Sequence, residues 1–153
     1  MPGPRYVAVV GPGDATATES EAAATVGRAL AEAGAIIVTG GLGGVMEAAC
    51  RGARDAGGMT VGILPGADRS AANPAVTVAL PTGLGELRNG LVIRSADAVI
   101  AVGGAYGTLS EVALALKAGV PVVGLSTWEI EGIERVAGPA EAAERALELA
   151  ARA

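Results

Sequence analysis

The chain has 153 residues, 51% of them hydrophobic and 18% charged, a composition that builds a globular core without disulfides. A net charge of −5 leaves no basic patch for DNA or RNA, no apolar run approaches the roughly 20 residues of a membrane span, and Met1–Arg5 lacks a signal-peptide layout; a cytoplasmic protein with no nucleic-acid or membrane partner is expected. With no histidine and one cysteine, Cys50, a Ser-His-Asp triad, a His-based metal site, a zinc ribbon and CxxC redox chemistry are all excluded. Any chemistry rests on carboxylates, Arg, Lys, hydroxyls and backbone amides, and no metal site is expected.

Short apolar runs alternate with Ala-rich segments. Tyr6–Val10 reads as a strand closed by Gly11-Pro12-Gly13-Asp14, and a helix follows over 19–33, with Thr18 and Glu21 as its capping box and Gly34 as its stop. Strand 35–38 leads through a glycine run into a helix over 45–56, stopped by Gly57-Gly58. Strand 59–64 ends at Pro65-Gly66, 67–75 is a polar surface loop, and 76–80 is a further strand. Residues 83–95 are weakly helical. The run 98–102 has no polar residue, as suits a parallel strand covered on both faces. A helix from Thr108 to Gly119, a strand over 121–125 and a last helix over 140–151, opened by Pro139, complete the pattern. This β-α-β-α alternation predicts one α/β domain over 1–153, with a mainly parallel, doubly wound sheet flanked by helices.

In such sheets ligands bind beyond the carboxyl ends of the strands, where strand order reverses. Three glycine clusters fall at those ends. Gly11-Pro12-Gly13 lacks the third glycine of a dinucleotide fingerprint and reads first as a tight turn. Gly40-Gly41-Leu42-Gly43-Gly44 opens directly onto a helix, so its amides can approach a ligand closely. Gly103-Gly104-Ala105-Tyr106-Gly107-Thr108-Leu109-Ser110-Glu111 follows the most buried-looking strand, with uncovered amides, the Thr108 hydroxyl and a helix dipole that favours an anion. Thr108 and Glu111 also have the spacing of a capping box. Arg88 lies at the same sheet edge and can take a phosphate or carboxylate bidentately. Cys50 and Trp128 read as packing residues, Trp128 alternatively as an interface residue.

The order of these features resembles the LOG-type (Lonely Guy, formerly "lysine decarboxylase-like") Rossmann proteins, and within them the subgroup that includes the molybdenum cofactor carrier proteins. The matching stretches are Val9-Val10-Gly11, Gly40 to Met46, Gly57-Gly58 with Gly62-Ile63-Leu64-Pro65, Arg88-Asn89, Ala96-Asp97-Ala98, and Gly103 to Glu111; together they span the chain from Tyr6 to Leu125. The resemblance implies a Rossmann-like domain. It implies ligand contacts at Gly11, Gly40, Gly41, Gly43, Gly44, Met46, Arg88, Gly103, Gly104, Gly107 and Thr108, and a homodimer or larger homo-oligomer. LOG enzymes release a free base from nucleoside 5′-monophosphates; in such a hydrolase Arg88 would position the ligand and Glu111 would serve the oxocarbenium-like state. Their signature, PGGxGTxxE with an upstream Arg-Lys pair, is altered here. Gly103 stands for Pro, Ala105 for Gly, Asn89 for Lys and Ser110 for the first Glu of the usual pair, while Glu47 stands where the enzymes carry Gly.

Three functions follow. The altered loop favours a binding or carrier protein for a phosphate-bearing, nucleotide-like molecule, with molybdenum cofactor as the ligand the subgroup implies and no cofactor required by the fold. The alternatives are a phosphoribohydrolase acting on AMP or cytokinin riboside monophosphates, and an interaction protein whose glycine loops are only turns.

Overall fold

The computed structural model describes residues 2–153. Its strands are β1 (Tyr6–Val10), β2 (Ile36–Thr39), β3 (Thr60–Leu64), β4 (Val78–Pro81), β5 (Ala98–Val102), β6 (Val122–Leu125) and β7 (Ile133–Arg135). The helices are α1 (Ala17–Glu32), α2 (Val45–Asp55), α3 (Arg88–Arg94), α4 (Tyr106–Ala118) and α5 (Pro139–Ala150). All pairings are parallel, in the order β4-β3-β2-β1-β5-β6-β7. The chain winds outward from β1 to β4, returns to lay β5 on the other side of β1, and winds outward again. Strand order therefore reverses between β1 and β5, whose carboxyl ends are Val10 and Val102. The expected doubly wound α/β architecture is what forms.

The strands show why they read as continuous apolar runs. Along β1, Val7 and Val9 pack with α1, α2 and α5, whereas Ala8 and Val10 pack with α3 and α4. β5 divides the same way, Ala98, Ile100 and Val102 against Val99 and Ala101. Each strand is buried on both faces, so period-two polarity disappears from the sequence. The core has no phenylalanine; its largest fully buried side chains are Leu30, Ile37, Leu64, Ile93 and Ile100.

Several boundaries differ from the sequence reading. α1 begins at Ala17 rather than at residue 19, because Thr16, not Thr18, is the N-cap: its hydroxyl accepts from the Glu19 amide, while Glu19 Oε1 accepts from the Thr16 amide at 2.9 Å. Two Thr-x-x-Glu frames overlap here, and the earlier one is used. β4 starts at Val78, where its backbone enters register with Val61 of β3. The weakly helical stretch resolves into a 3-10 turn at Gly85–Leu87 and the short α3. β7, absent from the sequence reading, is a three-residue edge strand with no buried residue and thus no apolar signature. No helix among the described residues is long and apolar enough to cross a membrane.

α1 and α2 cross closely through two glycines. A Cβ on Gly27 would strike the backbone carbonyl of Ala49, and one on Gly52 the carbonyl of Ala24. Both obstacles are main chain and cannot rotate away. Gly52→Ala gains up to about 1 kcal/mol in helix propensity but overpacks the crossing at a cost of about 1–3 kcal/mol. We expect a lower urea midpoint for this variant; a midpoint equal to or above the parent's would refute the close crossing.

Candidate ligand site at the carboxyl edge of the sheet

The three glycine clusters converge where β1, β2 and β5 end, but they do different work. Gly11 is a packing residue: a Cβ there would strike the Val102 carbonyl and come within 2.7 Å of both Val45 methyls. Gly44, at φ 65°, fits against the Pro12 carbonyl, which also accepts the Val45 amide at 3.0 Å. The first two loops are thereby tied together, and the first amide of α2 is committed to that tie. Gly41, at φ 78°, donates its amide to Thr39 Oγ1 at 3.1 Å. Gly43 is roomier, with the Gly13 carbonyl as its nearest neighbour at 3.7 Å, and no atom lies within 4 Å of a Cβ on Gly107.

Gly40 marks where the chemistry gathers. A Cβ there would lie 2.6 Å from Arg88 Nη2 and 2.9 Å from Met46 Sδ. Arg88 opens α3 and is only 9% exposed. Its Nη1 donates to Asn89 Oδ1 and its Nη2 to the Gly40 carbonyl at 3.4 Å, a long bond. Nε donates to nothing. A buried guanidinium with an unused N–H is costly unless something else accepts from it.

α4 supplies the facing groups. Its first turn starts earlier than the sequence reading placed it: the N-cap is Ala105, which offers no side-chain acceptor, and Thr108 lies inside the helix. The expected Thr108–Glu111 capping box therefore does not form. The first-turn amides of Tyr106, Gly107 and Thr108 have no capping partner. Thr108 and Glu111 fall three residues apart on one helix face, 1% and 8% exposed, and Thr108 Oγ1 has no hydrogen-bond partner. Burial pushes the Glu111 carboxyl up to about 7, against the pull of Arg88. Burial likewise lowers the Arg88 pKa, against the pull of Glu111. In both residues desolvation outweighs the mutual attraction, and among the described residues no ion pair within 4.0 Å joins them.

The two positions that depart from the hydrolase signature on α3 and α4 meet each other. Asn89 Nδ2 donates to Ser110 Oγ at 3.2 Å, and Ser110 Oγ donates to the Gly107 carbonyl at 2.8 Å. A neutral pair stands where the signature carries Lys and Glu.

The structure thus brings Gly40, Met46, Arg88 and Glu111 together, with the buried Thr108 on the Glu111 face of α4 and the open Gly107 on the adjoining turn. Gly11, Gly41 and Gly44 frame this group through packing or backbone conformation. Gly103, at φ 69°, has the Glu19 carboxylate against it, and Gly104 lies against the Trp128 indole. The sequence presents Glu19 only as the first residue of a helix and Trp128 as a packing or interface residue. Trp128 follows β6 at the carboxyl edge, so the edge rule could have found it; Glu19 carried no signal, because its approach to Gly103 crosses from α1 to the end of β5. Cys50 is fully buried beside Thr39 Oγ1, as a core residue.

Fold and site together define a doubly wound α/β protein with the buried Arg88 and Glu111 at the carboxyl edge of its sheet. The chain belongs to the SLOG cluster4 family, whose family model matches residues 4–150. It is 41% identical over 137 residues to an uncharacterized protein of Archaeoglobus fulgidus, covering 89% of this chain and 90% of that one. Among solved structures it is similar to the molybdenum cofactor binding protein of Rippkaea orientalis (37% identity, TM-score 0.89, 95% and 96% of the two chains). It is equally similar to the Moco carrier protein of Chlamydomonas reinhardtii (36% identity, TM-score 0.89, 98% and 99%). The LOG-like, carrier-type resemblance is borne out.

Glu111 leaves a mark on stability. Below its usual 4.5 it is protonated folded and unfolded alike; between 4.5 and about 7 the unfolded chain has lost the proton that the folded chain keeps. Its contribution is therefore full below 4.5 and is lost as pH rises to about 7, on the order of 3 kcal/mol in all. Glu111→Gln should flatten this part of the profile in urea melts between pH 4.5 and 8. An unchanged slope in the variant would show that Glu111 does not titrate this way.

Proposed function

We propose that this chain binds and carries a phosphate-bearing, nucleotide-like molecule, the chemical class to which molybdenum cofactor belongs. One observation carries the reading. Arg88 Nε and Thr108 Oγ1 are both buried without a protein partner, beside a helix start that has no side-chain cap. Unused donors of this kind fit the oxygens of a phosphate, which accept from Arg, hydroxyl and first-turn amides together. The likeness to proteins described as molybdenum cofactor carriers supports the same class of ligand. The ligand contacts are assigned to Arg88, Thr108, Gly107 and Gly104, with Gly40 and Met46 beside the Arg88 guanidinium and Gly43 on the same loop as Gly40.

Holding fits the cluster better than hydrolysis does. The Asn89–Ser110 pair removes two charges from the hydrolase signature, and a carboxyl at about 7 is only partly ionised at neutral pH. Incubation with AMP is expected to release no free base; release above blank would return the chain to the phosphoribohydrolases. Binding is read by calorimetry with AMP and with molybdenum cofactor. Arg88→Ala should weaken binding by about 10- to 150-fold, the worth of a hydrogen bond to a charged group. Gly107→Asp places a carboxylate where packing leaves room and should abolish binding with the melting temperature retained. Unchanged affinity in both variants would place the pocket elsewhere.

We also infer that the chain self-associates through the face bearing α3 and α4. Leu84, Leu87, Leu91 and Leu114 are exposed there, Leu87 by 77% and next in sequence to Arg88. Several exposed leucines on neighbouring elements favour an interface there. Light scattering should report a dimer or larger species for the parent and a monomer for Leu87→Asp; a monomeric parent would sink the inference.

A further inference from the structure

The carboxyl end of β6 holds features that the buried cluster does not use. Ser126 has φ 52° and is the sole non-glycine residue in the left-handed region among the described residues. Such strain persists where surrounding structure demands it, and it gathers at ligand sites. Thr127 Oγ1 is buried without a partner. Trp128 then lies over the β5–α4 loop: its Nε1 donates to the Ala105 carbonyl at 3.1 Å, and its ring would stand 3.1 Å from a Cβ on Gly104. Tyr106, the first residue of α4, stacks on the indole with ring centroids 6.1 Å apart and planes at 28°.

Covering the loop explains Trp128 but not Tyr106. Tyr106 is 84% exposed, so the indole covers little of its ring. The chain has one Trp, two Tyr and no Phe, and its core is built without aromatics. Two of its three aromatic rings nevertheless stand together at the carboxyl edge, Trp128 half-buried and Tyr106, next to Gly107, open to water. The open face of Tyr106 takes no part in packing.

We propose that Tyr106 and Trp128 form a platform on which the planar heteroaromatic ring of the ligand stacks, while its phosphate takes the start of α4. This rests on the phosphate-binding reading above and adds the specificity element: a flat heteroaromatic ring system, purine or pterin, carried by the same molecule. Offset stacking on an aromatic face tolerates different rings because each offers a π-face. The left-handed Ser126 turns the chain so that Trp128 reaches Ala105 and steadies the Tyr106 ring from beneath.

The test uses the full chain and three probes: AMP, a pterin phosphate, and ribose 5-phosphate, which has the phosphate and no ring. Trp128 is the single tryptophan, so intrinsic fluorescence reports on the platform directly. The ringed probes should quench it and ribose 5-phosphate should not. Tyr106→Ala should weaken the ringed probes by about 5- to 150-fold, leave ribose 5-phosphate unchanged, and be reversed by Tyr106→Phe. Quenching by only one ringed probe names the ring and upholds the platform. Unaltered affinity of the ringed probes in Tyr106→Ala, or equal loss for all three, overturns the platform while phosphate binding stands. No binding of any probe by the parent overturns both.

Discussion

Arg88 is a cation brought inside the protein with one donor unused, and the carboxyl edge of the sheet is arranged around that fact. Its guanidinium lies against the Cα of Gly40, where any side chain would collide with it, and it reaches only the Asn89 side chain and a distant Gly40 carbonyl. Glu111 on α4 supplies the opposite charge, too far away to form an ion pair and too buried to ionise freely. A charge held this way is costly to the fold. The cost makes sense where a ligand oxygen completes the set, and Thr108, with its own unused hydroxyl, stands on the same helix face as Glu111.

The glycines around Arg88 divide by what surrounds them rather than by motif. Gly11 and Gly44 let β1, β5 and α2 meet, and a side chain on either would hit main chain. Gly27 and Gly52 do the same where α1 crosses α2, far from any glycine cluster. Gly107 has open space beside it, and Gly43 nearly so. Only glycines of this second kind leave amides accessible to another molecule. A ligand site here is thus a small gap in a glycine framework whose larger part is packing.

The likeness to molybdenum cofactor carriers and the altered hydrolase signature point the same way once Asn89 and Ser110 are seen in contact. Two substitutions distant in sequence form one neutral hydrogen bond between α3 and α4. They change together the charge beside Arg88 and Glu111 while leaving those two residues, and the uncapped start of α4, in place. The edge keeps Arg88, Thr108 and Glu111 and, at these two positions, lacks the charges of the hydrolase signature.

The sequence alone determined the alternation of strands and helices, the double burial of β5, the glycine stops at Gly34, Gly57 and Gly119, and the edge at which Gly40, Arg88 and Gly107 would gather. These are local matters: backbone conformation, apolar runs, and the rule that parallel sheets expose their loops at one end. It did not determine which Thr-x-x-Glu frame caps α1, because Thr16 and Thr18 offer the same local chemistry. It misread Thr108 as a cap because the start of α4 is set by where β5 ends and how Gly103 turns, at φ 69°, beside Glu19. It could not see β7, which has no apolar pattern to show. Tertiary structure alone decided that Glu111 is buried and raised to about 7, that Asn89 meets Ser110, and that Tyr106 stacks on Trp128. Each of these is a meeting of separate elements, and the distance between elements is a property of packing that no local pattern encodes.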